Sequence, residues 1–267
     1  MPISCPIQFK HLSREEYRQF DYQVMQHVFA CHNELGRLCD EVIYQNYLKA
    51  RLAAGGLGVV RTEVPLTATH DTFRKTYYLD LVVGDAARYE LKTAAALLGE
   101  HTMQILNCVM LLGLNVGKLV NLRPALVESR FANTTLTQAA RRQVTFNVAR
   151  WQPLSPACDE LRNRFAALLA DWGAFLDLAL YEEALTHFCG GEARVVARVP
   201  LTRAGLELGT QRCHLLAADV AFRITAHTDH LGRAEAQLRR FLALTPLRAI
   251  QWLNLNHRDA SHITLTK

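Results

Sequence analysis

Half of the 267 residues are apolar, so the chain can bury one large core or two smaller ones without help from disulfide bonds. The seven cysteines are odd in number and include no C-x-x-C pair, which indicates reduced thiols and argues against a disulfide scaffold or a compact zinc module. The formal net charge of +5 permits a polyanionic partner but does not identify one.

The sequence predicts no membrane span. Its longest apolar stretch, residues 105–114, is too short to cross a bilayer, and the N-terminus lacks the basic and apolar pattern of a signal peptide. We therefore expect a cytoplasmic protein without a membrane partner.

Two helices are expected at the start of the chain. Ser13 followed by Glu16 is the pattern of a capping box, and it predicts a helix that ends near residues 32–36. A second helix is expected from about Leu38 to Ala53, before a pair of glycines.

Strands follow these helices, and their order predicts the fold class. Strands are expected at about Val59–Thr67, Arg74–Val83 and Arg88–Thr93, then a helix over Glu100–Leu114 and a strand at Lys118–Leu122. This succession predicts an α/β/α core with a mixed, largely antiparallel central sheet.

The second and third of these strands carry a pattern with chemical meaning. Asp80 is followed ten residues later by Glu90-Leu91-Lys92, and side-chain alternation places Glu90 and Lys92 on one face of their strand. Pairing in a hairpin brings Asp80 beside that face. Two carboxylates suit Mg²⁺, and a lysine can stabilise charge on a phosphate. Taken alone, the triplet is also typical of a solvated strand edge.

The residues before this hairpin add a second pattern. His32-x-x-Leu35-Gly36 precedes a helix that carries Glu41-x-x-Tyr44. With this signature, the first half of the chain resembles the GxxExxY proteins, a branch of the PD-(D/E)XK nuclease superfamily. The likeness continues in order through Glu63–Leu66, Leu79-Asp80, Glu90–Lys92, His101–Gln104 and Leu119–Leu122. One departure is Leu38, where the family has a glycine, and we expect His32 to be structural.

The resemblance implies a nuclease that hydrolyses phosphodiester bonds of nucleic acid, with DNA favoured over RNA. It implies that Asp80 and Glu90 bind Mg²⁺, or Mn²⁺ in its place, with Glu41 as a further acidic ligand. Lys92 would be the catalytic lysine, and Gln104 would be the helix residue that supports it.

The second half of the sequence repeats the first. Residues 1–132 are expected to form the nuclease-like domain, 133–156 a linker, and 157–267 a second copy. Tyr181 and Gly190-Gly191 repeat Tyr44 and Gly55-Gly56. We therefore expect a tandem duplication of one α/β/α core, with the two copies packed together in the chain.

This second copy has lost most of the chemical pattern. The positions of Glu41, Asp80, Glu90, Lys92 and Gln104 are occupied by Leu178, Cys213, Arg223, Thr225 and Gln237. An arginine at a ligand position opposes a metal ion, so we expect a degenerate pseudo-nuclease domain. It would serve either as a packing partner or as an arginine-rich extension of a nucleic-acid-binding face.

Two alternatives remain at this point. Cys213, His214, His227 and His230 could form a zinc site, but their spacing fits no compact finger, and we expect solvated histidines instead.

The rival to the nuclease is a non-catalytic module that binds nucleic acid or protein and retains the fold.

Overall fold

The computed structural model describes residues 2–267, and its first long helix begins where the sequence predicts. Ser13 and Glu16 form the expected capping box, with side chains that accept from each other's backbone N–H groups. Contacts divide the chain into two units, one formed by residues up to 69 and 74–137, the other by 70–73 and 138–267.

The first unit contains six strands and three helices among the described residues. They are β1 (Ile3–Ser4), α1 (Arg14–Leu35), α2 (Glu41–Ala54), β2 (Val60–His70), β3 (Phe73–Val83), β4 (Ala87–Lys92), α3 (Gly99–Leu112), β5 (Val116–Asn121) and β6 (Glu128–Asn133). The strands follow their sequence order across the sheet. Strands β4 and β5 are parallel, whereas the pairs β1–β2, β3–β4 and β5–β6 are antiparallel, so the sheet is mixed as predicted.

Alternation along β4 and β5 separates two layers of this unit. Leu91 and Val120 belong to a buried cluster with Val28 of α1 and Leu48 of α2. On the other face, the Arg88 guanidinium donates to the carbonyl of Ile105 in α3 at 3.1 Å. The sheet therefore lies between α1 and α2 on one side and α3 on the other.

The second unit has the same architecture. Its elements are α4 (Gln138–Arg142), β7 (Thr145–Arg150), α5 (Pro156–Trp172), α6 (Leu178–Phe188), α7 (Glu192–Val195), β8 (Val196–Arg203), β9 (Leu206–Ala217), β10 (Val220–Thr225), α8 (Leu231–Leu244), β11 (Ala249–Asn256) and β12 (Asp259–Thr266). The sheet order is β7-β12-β11-β10-β9-β8. The strands from β8 to β12 thus correspond to β2 to β6. The segment expected as a linker, 133–156, contains α4 and β7, and β7 pairs with β12.

Strand register shows that the two units are copies of one core. Partners in the first sheet recur in the second at numbers 133 higher. The matched pairs are Leu81–Tyr89 with His214–Phe222, Lys92–Asn121 with Thr225–Asn254, and Asn121–Glu128 with Asn254–Ser261. The expected tandem duplication is confirmed at the level of the fold.

One tyrosine contact is repeated in both units. Tyr44 of α2 donates its hydroxyl to the carbonyl of Gly36, the residue that ends α1, at 2.7 Å. Tyr181 of α6 donates in the same way to Gly173, the residue that ends α5. Both glycines have positive φ, of 70° and 81°, which favours glycine at the turn. The tyrosine therefore fixes the angle at which the second helix follows the first.

An asparagine contact is repeated as well. Asn121, at the end of β5, accepts from Ala94 N–H and donates to Ala94 C=O. Asn254 of β11 makes the same two bonds with His227. Each asparagine satisfies backbone groups of the chain that leaves the neighbouring strand, which is a structural role.

One buried ion pair distinguishes the two units. Lys118 Nζ lies 2.6 Å from Asp21 Oδ2, and both side chains are less than a tenth exposed. The equivalent positions in the second unit are Cys158 and Gln251, so both charges are absent there. Among residues 2–267, no helix is long and apolar enough to cross a membrane.

Changing one member of this pair should destabilise the first unit more than changing both. Asp21→Cys or Lys118→Gln alone leaves a buried charge without its partner, at a cost of about 3–5 kcal/mol. The double variant, which has the residues of the second unit, should cost less than either single change. Urea unfolding followed by circular dichroism measures this. Additive costs in the double variant would contradict the pairing.

Candidate active site

The ladder between β3 and β4 ends just before Asp80. The last pairs are Val82–Arg88 and Leu81–Tyr89. Beyond them, Asp80 Oδ2 accepts from the N–H of Leu91 at 2.8 Å. A side-chain carboxylate therefore takes the place of a strand carbonyl, and it is held against β4 at the point where the two strands separate.

Glu90 is fixed between two cations on the α3 face of β4. Its Oε2 accepts from Arg88 Nη2 at 2.5 Å and its Oε1 from Lys92 Nζ at 2.9 Å. The side chain of Glu90 is only 1% exposed. Since both partners are on the same strand two residues away, alternation alone brings the three together. Arg88 is itself fully buried, so it fixes the direction of the Glu90 carboxylate.

Lys92 remains charged in this setting. Burial opposes its charge, but Glu90, Asp80 and Glu41 outweigh burial and raise the pKa of Lys92. Its Nζ lies 4.0 Å from Asp80 Oδ2. Lys92 is therefore a fixed cation between two carboxylates and not a neutral amine that could accept a proton.

Asp80 is the group of the cluster whose pKa lies near neutral pH. Burial, followed by the negative charge of Glu90, raises the pKa of Asp80 to about 7. Its second oxygen, Oδ1, has no hydrogen-bond partner among the described residues, and its side chain is 12% exposed. One carboxylate oxygen is thus available to a ligand.

Helix α2 brings a further carboxylate to the same place. Glu41 is the first residue of α2, and burial raises its pKa most, with Lys92 opposing and Glu90 and Glu63 adding to the shift. Glu41 makes no hydrogen bond or ion pair with the described residues, so these charges act on it without direct contact. Contacts thus join Asp80, Glu90 and Lys92, and Glu41 is connected to them by charge alone.

Two residues that sequence reasoning missed complete this arrangement. Gln45 Nε2 donates to the backbone carbonyl of Asp80 at 2.8 Å and to Glu63 Oε1 at 2.6 Å. Gln45 lies one helical turn after Glu41 on the same face, a spacing that could have identified it. Glu63 has a φ of 51° within β2, which is uncommon for a residue with a side chain and is typical of functional sites. The sequence gives no signal for that conformation.

Gln104 lies apart from these contacts. Its side chain is exposed on α3, and it makes no hydrogen bond with any residue of the described part of the chain. His101, one turn earlier, is 16% exposed and contributes to the electrostatics of Glu41. The predicted support of Lys92 by Gln104 stays a prediction.

The motif residues before α2 have structural contacts. His32 Nε2 lies 3.0 Å from the carbonyl oxygen of Pro124, which agrees with the structural role expected for it. Leu38, at the position where the family has a glycine, is 78% exposed, so its side chain meets no close neighbour that would require glycine.

The donor set is suited to a divalent cation. No group of three or more His, Cys, Asp or Glu side chains within residues 2–267 has the arrangement of a complete metal site. Mg²⁺, however, is usually bound by one or two carboxylates together with water and substrate oxygens. Asp80 offers an unpaired oxygen, and the carboxylates around it outnumber Arg88 and Lys92. Burial, followed by repulsion from Glu90, raises the pKa of Asp80, and a bound cation would oppose both effects.

Replacement of Asp80 by asparagine should stabilise the protein at alkaline pH. The pKa of Asp80 is raised in the folded state, so its ionisation costs stability as pH rises from about 4 through about 7. An asparagine side chain at this position would keep the bond to Leu91 without the charge. We expect Asp80→Asn to raise the free energy of unfolding by about 4 kcal/mol near pH 8 and by less than about 1 kcal/mol near pH 4. Thermal unfolding at both pH values measures this.

Glu100→Gln is the control for that experiment, because Glu100 is 75% exposed on the surface of the same unit. Its effect on stability should be small and should not change sign with pH. A loss of stability in Asp80→Asn near pH 8 would contradict the electrostatic strain described for Asp80.

Comparisons with known proteins agree with this geometry. Residues 18–132 match a family model described as the PD-(D/E)XK nuclease superfamily. No curated protein and no solved structure matches the chain. The matched segment runs from Arg18 in α1 to Ala132 in β6, and it therefore includes Glu41, Asp80, Glu90 and Lys92. Residues 18–132, which make up less than half of the 267-residue chain, are therefore similar to the PD-(D/E)XK nuclease superfamily.

Proposed function

We propose that the first unit hydrolyses phosphodiester bonds of nucleic acid, with DNA favoured over RNA. In this proposal Asp80 and Glu90 hold Mg²⁺, or Mn²⁺ in its place, and Glu41 is the further acidic member. The observation that supports it most is the pairing of an immobilised Glu90 with an Asp80 oxygen that has no partner. When bound, the metal ion would lower the pKa of a water molecule and neutralise charge on the phosphate.

Lys92 would act as the cation that contacts the substrate phosphate. It is charged, 15% exposed and 2.9 Å from Glu90, so its ammonium group is fixed before substrate arrives. A fixed cation stabilises charge that develops in a transition state without reorganisation.

Arg88 and Gln45 would act as positioning residues. Arg88 fixes the direction of the Glu90 carboxylate from within the core, and Gln45 fixes the backbone of Asp80. Neither has to touch the substrate to affect the reaction, because displacement of a ligand by about 1 Å is costly in rate.

We further propose that the chain belongs to the GxxExxY branch and that the second unit is a pseudo-nuclease. Glu41 and Tyr44 support the first statement. The second rests on Leu178, Cys213 and Arg223, which replace three carboxylates at equivalent positions. The cytoplasmic location and the domain limits expected from the sequence stay predictions.

One observation favours the rival, a non-catalytic module that binds nucleic acid or protein. The second unit keeps the fold, the tyrosine contact and the asparagine contact without any of the carboxylates. The fold is therefore stable without the chemistry. The first unit nevertheless retains four charged residues in one cluster, which a binding module does not require.

Asp80→Ala should lower cleavage by about a hundredfold or more, because it removes both a ligand and the charge that positions Lys92. Lys92→Ala should lower cleavage to a similar extent. Nucleic-acid affinity should change little in either variant, since many phosphate contacts contribute to it. Cleavage of single- and double-stranded DNA and RNA with Mg²⁺ or Mn²⁺, beside equilibrium binding, measures both effects.

Asp229→Ala and Lys10→Ala are matched controls, because both residues are exposed and lie outside the cluster. Each should retain wild-type cleavage. Full activity in a purified, folded Asp80→Ala protein would overturn the assignment. Binding by a wild-type protein that cleaves no substrate with either metal would support the rival module.

A further inference from the structure

The second unit contains a cavity of about 460 Å³ between its sheet and α8. Four of its lining residues, Cys213, Arg223, Thr225 and Gln237, are at the positions that Asp80, Glu90, Lys92 and Gln104 occupy in the first unit. The shared strand register supports this equivalence. The cavity is therefore the counterpart of the candidate active site.

The charge of this cavity is opposite to that of the candidate active site in the first unit. None of the described residues that line the cavity is Asp or Glu, whereas Arg212 and Arg223 both line it. Their charges also help to lower the pKa of His214 in the same wall, after burial, which is the larger cause. The nearest carboxylates, Glu182 beside His214 and Glu192 beside Arg212, are outside the lining, and two cations in the lining favour an anion.

Arg223 is the cation that is free to bind. It is exposed at the cavity wall and forms no hydrogen bond or ion pair with any residue of 2–267. Arg212 is half exposed, and its Nη2 lies 3.3 Å from Glu192 Oε1 on the surface. Such an exposed pair is weak, so Arg212 can exchange it for a contact with a phosphate.

The wall next to Arg223 is rigid. Thr225 Oγ1 donates to Asn254 Oδ1 at 2.7 Å and accepts from Trp252 Nε1 at 2.8 Å. At the position that Lys92 occupies in the first unit, the second unit thus has a neutral threonine, whose hydroxyl is fixed by two hydrogen bonds. Gln237 is exposed in the opposite wall and carries an amide donor. The cavity therefore combines the guanidinium of Arg223 with the neutral amide donor of Gln237.

We propose that this cavity binds a phosphate group, held by the Arg223 guanidinium with Arg212 as the second cation, and that nucleic acid supplies that phosphate. A guanidinium fork matches two phosphate oxygens. The second unit would then hold the backbone of a nucleic acid and not cleave it. This inference does not require the first unit to be catalytic.

The full-length protein with Arg223→Gln tests the proposal. Binding is measured for two probes, a short single-stranded oligonucleotide and inorganic phosphate, in EDTA so that no cleavage occurs. Loss of one charge-assisted contact should weaken binding about tenfold or more. For the oligonucleotide, the slope of log affinity against log salt should fall by about 0.7, the value for one phosphate contact on a single strand.

Two further variants make the result specific. Arg240→Gln is the matched control, because Arg240 is an exposed arginine of the same unit outside the cavity lining. It should change affinity far less than Arg223→Gln. Arg223→Glu, which introduces the residue type of the first unit at this position, should weaken binding more than Arg223→Gln. Circular dichroism and tryptophan fluorescence verify folding, since all three tryptophans are in the second unit.

The outcomes separate the sources of phosphate. Weaker oligonucleotide binding in Arg223→Gln, relative to Arg240→Gln, supports a nucleic-acid backbone site. An effect on inorganic phosphate alone supports a phosphate site but overturns nucleic acid as its source. Equal effects of the two substitutions on both probes overturn the proposal altogether. A protein that cleaves nothing yet shows the Arg223 effect would refute the nuclease and leave this site in place.

Discussion

The end of the β3–β4 ladder at Leu81 and Tyr89 is the constraint on which the candidate site depends. Past that pair, the backbone groups of Asp80 and Leu91 need other partners, because buried N–H and C=O groups are costly to leave unpaired. Gln45 satisfies the Asp80 carbonyl, and the Asp80 carboxylate satisfies the Leu91 N–H. These two hydrogen bonds satisfy the backbone groups at the end of the ladder, and they also fix the orientation of Asp80.

Buried charged side chains in the first unit are paired with each other, and in the second unit both members of each pair are replaced. Asp21 and Lys118 are both replaced by neutral residues, and Arg88, the buried partner of Glu90, is replaced by Ala221. A buried charge that has lost its partner is strongly destabilising, whereas a set that changes together is tolerated. What both units retain are the tyrosine and asparagine contacts, which satisfy backbone groups. The two copies thus share the contacts that maintain the fold, whereas the contacts of the candidate site are present only in the first unit.

The charge at equivalent positions is opposite in the two units. Carboxylates around Asp80 create a site that favours a cation, whereas Arg223 at the position of Glu90 creates one that favours an anion. The change rests on replaced side chains, because the strands that carry them hold the same register in both units.

The sequence by itself determined the element order, the duplication and the grouping of Asp80, Glu90 and Lys92, because strand alternation, the capping box and the repeated motifs are local signals. Glu41 was connected to them only by the family resemblance. Only the tertiary structure decided that Arg88 and Lys92 hold Glu90, that Gln45 and Glu63 join the cluster, and that Gln104 makes no bond there. It also decided that β7 belongs to the second sheet. These contacts join residues of different elements, or depend on a backbone angle such as that of Glu63, and periodicity carries no information about either.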